Sequence, residues 1–237
     1  MEPRLLELGD AALTLEFGQS IDAAVSRRVT AAAAALRRLP LAGITDLVPT
    51  WRSLTVHFDP LRLPRRELAE ILLTLPGQAE EAEATARSWR LPVVFGGEYG
   101  PDLDAVAAAT GRSAEEIVAT LCALPLRVFL VGFLPGFPYM GELPEWLRLP
   151  RLATPRTAVP ARSVAIAGAQ AAIYPWASPG GWHLLGRTPV ALFDAAMAER
   201  PALLLPGDSV RFHAIGADEH QRLLAAPPAQ NELFESS

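Results

Sequence analysis

The chain has 237 residues with 21 basic and 26 acidic side chains, so its formal net charge is −5, and no long basic run is present. Half of the residues are hydrophobic and a fifth are charged, which is typical of a soluble globular protein and excludes a mainly disordered or fibrous one. The charge balance argues against nucleic acid and anionic membranes as partners.

All 21 basic residues are arginine, because the sequence contains no lysine. A Schiff-base lysine, a P-loop lysine and biotin carried on this chain are therefore excluded. Cys122 is the only cysteine, so the chain has no internal disulfide and no cysteine-based zinc site. The amino terminus lacks the regions of a signal peptide and no stretch approaches a membrane span, so we expect a cytoplasmic protein.

The amino-terminal part alternates between apolar patterns typical of strands and of helices. In chain order we predict two short strands between Arg4 and Phe17, a helix capped by Ser20 or Asp22 and ended by Pro40, strands at Ile44–Val48 and Ser53–Phe58, and a helix from Pro64 to a break at Pro76-Gly77. This order indicates a small α+β sandwich with its helices on one face of the sheet.

After a charged connector at 78–87, the sequence favours short strands separated by glycine and proline, which is typical of a β-barrel. We predict strands at Trp89–Phe95, Val128–Phe133, Ser163–Ala167, Ala171–Tyr174, Trp182–Leu185, Val190–Phe193 and Ser209–Ala214, helices at Asp102–Thr110, Ala114–Leu121 and Glu219–Leu224, and a frayed tail from Pro227. Ser113 and Glu116 have the spacing of a capping box. The fold class is therefore α+β, with an N-terminal α+β sandwich domain at 1–88 and a β-barrel domain at 89–237.

One segment, Gly132–Gly141, packs three glycines, two prolines and three aromatic residues into ten positions. We expect neither regular helix nor a central strand there, because proline removes a donor and glycine permits positive φ. A rigid loop lined by Phe133, Phe137 and Tyr139 would suit a pocket wall, and the alternative is a loop that only plugs one end of the barrel.

Polar groups that could bind an anion or an amide lie between 151 and 187. The four arginines Arg151, Arg156, Arg162 and Arg187 carry guanidinium groups that bind carboxylate or phosphate through two parallel hydrogen bonds. Gly180-Gly181 offers bare backbone N–H groups, which stabilise an oxyanion when their geometry is right. The four histidines lack metal-ligand spacing, so we predict no metal site.

Several long motifs in this region resemble the family of 5-oxoprolinase B subunits, which also contains the sporulation-kinase inhibitor KipI and the small subunit named allophanate hydrolase. The likeness covers nearly the whole chain and is weakest before residue 90. The motifs that carry it are Gly96-Gly-Glu-Tyr-Gly-Pro-Asp102, Gly132-Phe-x-Pro-Gly-Phe-Pro-Tyr-x-Gly141, Pro150-Arg-x-x-x-Pro-Arg156, Val159-Pro-Ala161, Ile166-Ala-Gly-x-Gln170, Ile173-Tyr-Pro175, Ser178-Pro-Gly-Gly-Trp182 and Gly186-Arg-Thr-Pro189.

The resemblance implies a cyclophilin-like β-barrel for the C-terminal domain and an obligate partnership. In the family this B subunit works with an A subunit, together with a larger, KipA-like C subunit, to open the lactam of 5-oxo-L-proline to L-glutamate at the expense of ATP. The chain has no P-loop and no evident pair of nucleophile and base, so we expect ATP at a site shared with or supplied by a partner, and a chain inactive alone. This sequence departs from the family at Cys122, where histidine is common, and at Arg162, where glycine is usual.

These observations yield a set of candidate site residues for a small-molecule substrate. As catalytic residues we predict Gln170, Gly180 and Gly181, and as substrate-binding residues Arg156, Arg187, Phe137, Tyr139, Tyr174, Ser178 and Trp182. Two other functions stay open. The chain could be a carboxyltransferase-like or allophanate-hydrolase-like subunit that works with a biotin-dependent partner, or a KipI-type binding inhibitor of a sporulation histidine kinase.

Overall fold

The fold comes from a computed structural model, which describes residues 3–78, 86–197 and 200–234. The chain divides into two compact units, Met1–Ala86 and Arg87–Ser237, and each is described by itself. The predicted connector falls largely outside the described residues. The independence of the two predicted domains, at 1–88 and 89–237, stays a prediction.

The amino-terminal unit is a four-stranded antiparallel sheet in the order β1-β2-β4-β3, with two helices against it. Its elements are β1 (Arg4–Glu7), β2 (Ala12–Glu16), α1 (Ala23–Arg38), β3 (Ile44–Pro49), β4 (Ser53–Phe58) and α2 (Arg65–Gln78). Alternate residues of β2 and β4, such as Leu13, Leu15 and Val56, share one core with Val29 and Leu72 of the helices. Both helices therefore cover the same face of the sheet, as predicted.

The start of α1 agrees with the sequence prediction, whereas the end of α2 does not. Asp22 caps α1, because its carboxylate accepts a hydrogen bond from the Val25 backbone N–H at 2.8 Å. The predicted break at Pro76-Gly77 is wrong, since α2 continues to Gln78. A proline in the last turn removes only one backbone donor, and the hydrogen bonds of the preceding turns are unaffected.

The second unit contains a closed barrel of seven strands in the order β10-β7-β6-β13-β5-β12-β9. Its elements are β5 (Ser88–Phe95), α3 (Leu103–Thr110), α4 (Ala114–Ala123), β6 (Leu126–Val131), β7 (Pro138–Gly141), β8 (Arg156–Val159), β9 (Ser163–Ala167), β10 (Gln170–Ile173), β11 (Ser178–Gly180), β12 (His183–Arg187), β13 (Ser209–Ala214) and α5 (Ala217–Ala225). The strands β8 and β11 form a separate two-stranded ribbon. The predicted β-barrel is confirmed, whereas its likeness to cyclophilin stays a prediction.

Three predictions about individual segments of this unit are wrong. The segment Gly132–Gly141 contributes a central strand, β7, which pairs with both β6 and β10. Pro138 is the first residue of that strand, a position at which a missing donor disrupts little of the ladder. The glycine and proline content therefore shapes the loop before β7 and does not exclude the strand itself.

The other two corrections concern 190–193 and the tail. Val190–Phe193 forms no strand beyond one bridge between Phe193 and Ala202. The Val190 N–H donates to the Thr188 hydroxyl, and the following residues bond locally, from the Asp194 N–H to the Pro201 carbonyl and from the Leu203 N–H to the Leu192 carbonyl. The tail after Pro227 is not frayed up to residue 234. Leu233 is buried, and the Phe234 ring packs on Trp89 with 4.5 Å between centroids.

A buried carboxylate, Asp208, links the start of β5 to the chain segment that precedes β13 through hydrogen bonds. It precedes β13, whose pairing with β5 is parallel. Its oxygens accept hydrogen bonds from the indole of Trp89 at 2.9 Å, the Leu205 N–H at 3.0 Å, the Arg87 N–H at 3.1 Å and the Arg200 guanidinium at 3.2 Å. Four donors from two separate segments, 87–89 and 200–205, thus depend on one side chain.

Within the described ranges, the structure contains no helix that combines the length and apolar character needed to cross a bilayer.

We predict that Asp208→Ala lowers the free energy of unfolding by about 3–5 kcal/mol, because it leaves the Arg200 charge and the Trp89 indole without their buried acceptor. The measurement is urea unfolding followed by circular dichroism. Asp104→Ala, an exposed aspartate of α3, is the matched control and should cost below about 1 kcal/mol. Equal losses in the two variants would contradict the role given to Asp208.

Candidate functional site

An aromatic cavity of about 280 Å³ lies at the end of the barrel beside the β8–β11 ribbon. We call it the aromatic cavity throughout. Its lining residues are Phe133, Phe137, Tyr139, Arg151, Pro155, Tyr174, Pro179, Gly180, Gly181 and Trp182. Six of the ten predicted site residues are thus brought together, although they come from separate segments of the sequence.

The wall of this cavity is a rigid cluster of rings centred on Phe137, which is only 1% exposed. The centroid of the Phe137 ring lies 4.9 Å from that of Tyr139, 5.0 Å from that of Tyr174 and 6.3 Å from that of Trp182. Tyr174 and Trp182 meet the Phe137 ring edge to face, a geometry favoured by aromatic quadrupoles. The cluster presents a preformed apolar surface to a small ligand.

Phe133 stands at the mouth of the cavity and is 64% exposed. Its backbone φ is 70°, a left-handed conformation that costs a residue with a side chain on the order of 1 kcal/mol or more. The expectation of a pocket-wall loop is met here, because the strained turn aims an aromatic side chain at the opening.

The two tyrosine hydroxyls in the cavity are neutral at physiological pH. Burial raises the pKa of Tyr174 and of Tyr139, and the nearby Arg151 opposes this only in part. The Trp182 backbone N–H lies close enough to the Tyr174 hydroxyl to act in the opposite direction and lower its pKa. Each hydroxyl therefore serves as a hydrogen-bond donor and not as a base.

Gly180 is required for close packing and not for an unusual backbone angle. A Cβ atom at this position would lie 2.3 Å from the Tyr174 hydroxyl. At Gly181 the nearest atoms to such a Cβ belong to Pro155, at 3.6 Å, which is an ordinary contact. Neither glycine has a positive φ, so the backbone conformation of this pair is open to residues with a side chain.

The structure does not bring the four arginines together. Arg151 lines the aromatic cavity, and its guanidinium carbon lies 5.8 Å from the centroid of the Trp182 ring. Arg156 instead forms an ion pair with Asp102, with 2.5 Å between Nη2 and Oδ1. Arg162 and Arg187 line a different cavity of the same unit. Arg151 is not among the ten predicted site residues, although its place in the Pro150-Arg-x-x-x-Pro-Arg156 motif is a usable signal.

Two further candidates lie outside the aromatic cavity. Gln170 begins β10, opposite Gly141 of β7. Ser178 begins β11, opposite Val159 of β8. The Gln170 amide nitrogen and the Ser178 hydroxyl are buried without a hydrogen-bond partner among the described residues. Both groups therefore have hydrogen bonds that are not made within the described part of the chain, and only Ser178 adjoins a residue of the cavity lining, Pro179.

A larger groove of about 800 Å³ runs along α4 and β13. It contains Cys122 and His213 but none of the predicted site residues. Burial raises the pKa of the Cys122 thiol, so this cysteine is protonated and a poor nucleophile. We place the candidate site in the smaller cavity, since that cavity combines aromatic walls with a cation and neutral donors. In the described ranges no three histidine, cysteine or acidic side chains are grouped to hold a metal ion.

Comparison with known proteins identifies the family. Residues 3–204 match the family model described as carboxyltransferase domain, subdomain C and D. The chain is 37% identical over 228 residues to the B subunit of 5-oxoprolinase from Bacillus subtilis, covering 90% of this chain and 93% of that protein. It is 42% identical over 208 residues to the B subunit of 5-oxoprolinase from Escherichia coli O157:H7, covering 86% and 93%.

Solved structures agree with this relationship. The crystal structure of TTHA0988 has a TM-score of 0.78 and 42% identity, covering 87% of this chain, which spans 40% of that protein. The urea carboxylase of Kluyveromyces lactis has the same fold at 21% identity, with a TM-score of 0.73, covering 94% of this chain and 22% of that protein. On the sequence matches, the chain belongs to the family of 5-oxoprolinase B subunits, whose members carry the carboxyltransferase C and D fold.

Proposed function

We propose that this chain is the B subunit of an ATP-dependent 5-oxoprolinase and that the aromatic cavity binds the lactam substrate. The observation that carries the proposal is the combination, in one cavity of about 280 Å³, of aromatic walls, two neutral tyrosine hydroxyls and one arginine. 5-Oxo-L-proline is a flat five-membered ring with a carboxylate on one side and an amide on the other. Each part of this molecule has a chemical counterpart in the cavity.

The substrate carboxylate pairs with Arg151. The Arg151 guanidinium stacks on the Trp182 ring and forms no ion pair with an acidic residue in the described part of the chain, so its fork of N–H donors is available to a carboxylate. The apolar faces of the lactam ring lie against Phe137 and Trp182. This arrangement fixes the orientation of the ring, because the charged and apolar ends of the substrate have different partners.

The lactam carbonyl accepts a hydrogen bond from a tyrosine hydroxyl. The Tyr174 hydroxyl is neutral, because burial raises its pKa, and its proton is available to the substrate. The backbone N–H groups of Gly180 and Gly181, on the same wall, are the proposed stabilisers of the oxyanion that forms when the carbonyl is attacked. These groups bind and polarise the amide.

The groups that complete the hydrolysis come from partners. Opening the lactam breaks its C–N bond, adds the oxygen of water to the carbonyl carbon and transfers a proton to nitrogen. The aromatic cavity offers no base for that water among the described residues, since both tyrosines are neutral and no described histidine or acidic side chain lines it. We therefore assign the remaining catalytic groups to the two partner proteins, which are the KipA-like C subunit and the A subunit.

The triphosphate of ATP does not fit the aromatic cavity. That cavity has a single arginine and mainly aromatic walls, and the chain has no lysine or glycine-rich phosphate loop. ATP is therefore assigned to a site shared with or supplied by a partner protein, and no step is assigned to it here.

The matched family model is described as a carboxyltransferase domain, which supports carboxyl transfer with a biotin-dependent partner as the second candidate. Relatives at 37% and 42% identity are named as 5-oxoprolinase subunits, which favours the lactam reaction. The chain has no lysine for biotin attachment, so the carboxyl-transfer alternative requires a separate biotin-carrying protein.

We predict that the purified chain forms no glutamate from 5-oxoproline and ATP, whereas the chain mixed with the two partner proteins does. The measurement is glutamate formation by an enzyme-coupled assay, with the partner proteins alone as a control. Turnover by the isolated chain would contradict the incomplete site. Turnover of the same size by the partners without this chain would contradict its role in the complex.

We predict that Arg151→Gln raises the KM of the complex for 5-oxoproline about tenfold to a hundredfold, because one charge-assisted hydrogen bond to the substrate is lost. Arg148→Gln, which removes an arginine outside the cavity that bonds the Leu143 carbonyl, is the matched control and should leave KM unchanged. If KM rises only in Arg156→Gln or Arg187→Gln, the substrate carboxylate contacts that arginine, as the sequence analysis predicts, and not Arg151.

We predict that Gly180→Ala lowers the free energy of unfolding by about 1–3 kcal/mol, because the new methyl group overlaps the Tyr174 hydroxyl. Gly181→Ala should change stability by less than about 1 kcal/mol yet reduce turnover of the complex, since its methyl group crowds the cavity wall. Thermal unfolding and steady-state kinetics measure the two effects. Full activity in Gly181→Ala would remove Gly181 from the oxyanion site.

A further inference from the structure

A second cavity of the barrel unit, of about 390 Å³, has the features of an anion site. We call it the arginine cavity. It is formed by the loop after β5, the turn between β8 and β9, the chain after β10, the end of β12 and one face of α5. The lining residues are Glu98, Tyr99, Ala161, Arg162, Pro175, Trp176, Arg187, Thr188, His220, Gln221 and Leu224. None of them lines the aromatic cavity.

Two half-buried guanidinium groups in this cavity have no acidic partner in the described part of the chain. The Arg187 guanidinium carbon lies 5.6 Å from the centroid of the Tyr99 ring, and its Nε is buried without a hydrogen-bond acceptor. Arg162 likewise forms no ion pair with a described carboxylate. Among the described lining residues the acidic side chain is Glu98, which is exposed. The cavity therefore holds unbalanced positive charge.

His220 of α5 is only 1% exposed and lines the same cavity. Neither ring nitrogen has a described hydrogen-bond partner of good geometry, although the Thr188 backbone lies close enough to affect its titration. Burial lowers the pKa of His220, and Arg187 and Arg162 lower it further. The ring is therefore neutral, and its two nitrogens offer one hydrogen-bond donor and one acceptor.

The backbone at Arg162 holds its side chain at this position. Its φ is 66°, a left-handed conformation that side-chain-bearing residues rarely adopt. The Arg162 N–H donates to the Tyr174 carbonyl at 2.5 Å, and the Arg162 carbonyl accepts from the Thr188 N–H at 3.0 Å. Backbone strain of this kind persists where surrounding contacts fix it and is concentrated at binding sites.

We propose that the arginine cavity binds a phosphate oxyanion, held by the Arg162 and Arg187 guanidinium groups and by the His220 ring. A phosphate group fits better than a carboxylate, because its two negative charges match two unpaired guanidinium groups and its terminal oxygens outnumber those of a carboxylate. The half-exposed Trp176 ring stands at the rim, where an organic group attached to the phosphate would lie. This inference does not rest on the proposed lactam chemistry.

The test is isothermal titration calorimetry of the full chain with sodium phosphate at constant ionic strength, with sodium acetate and ATP titrated in parallel. We expect saturable binding of phosphate at least about tenfold tighter than that of acetate. ATP binding tighter than phosphate would identify a nucleotide as the source of the group, and ATP binding equal or weaker would identify free phosphate. Absence of saturable phosphate binding, or acetate binding as tight as phosphate, would overturn the proposal.

Variants locate the binding site. Arg162→Gly removes one guanidinium and places glycine where φ is positive, so the variant should fold at least as well as the parent chain. We expect Arg162→Gly and Arg187→Gln each to weaken phosphate binding about tenfold or more. Arg151→Gln, in the aromatic cavity, should leave it unchanged. Phosphate affinity that survives Arg162→Gly and Arg187→Gln, or that falls in Arg151→Gln instead, would overturn the assignment.

Discussion

The carboxylate of Asp102 is the interaction on which the geometry around the aromatic cavity depends. Its Oδ2 accepts a hydrogen bond from the Leu184 N–H at 2.7 Å, and its Oδ1 pairs with Arg156 at 2.5 Å. The first bond holds β12, and the second holds the start of β8, whose partner strand β11 carries Gly180. Removing this carboxylate would leave the Arg156 charge partly buried and unpaired, which costs more than the pair contributes.

The two cavities share their supporting backbone. Trp182, which precedes β12, lines the aromatic cavity, whereas Arg187, the last residue of β12, lines the arginine cavity. Tyr174 connects them more directly, because its hydroxyl faces the first cavity and its carbonyl accepts from the Arg162 N–H of the second. The geometry of both cavities therefore depends on the position of the backbone at residue 174.

The sequence predicts the elements well where a single local rule decides the outcome. Asp22 and Pro40 bound α1 because capping and the missing proline donor act locally. β7 was missed because its membership of the barrel depends on strands that lie far away in sequence, and its glycine and proline content argued the other way. The dense aromatic motif at 132–141 predicts a pocket wall of Phe133, Phe137 and Tyr139 as one of two alternatives, but the packing of Phe137 on Tyr174 and Trp182 depends on residues far away in sequence. The sequence does not predict which arginine lines which cavity, because the position of each guanidinium group depends on how the barrel closes.

The partners of the arginines show which of them can bind an anion. Arg156 faces a carboxylate, which neutralises its charge and occupies donors of its guanidinium group. Arg151 and Arg187 lie over the rings of Trp182 and Tyr99. An aromatic face attracts a guanidinium without accepting its in-plane N–H groups, so those hydrogen bonds stay available to a ligand. Ring stacking therefore holds an arginine in place while keeping its donors free, and an ion pair holds it by using them.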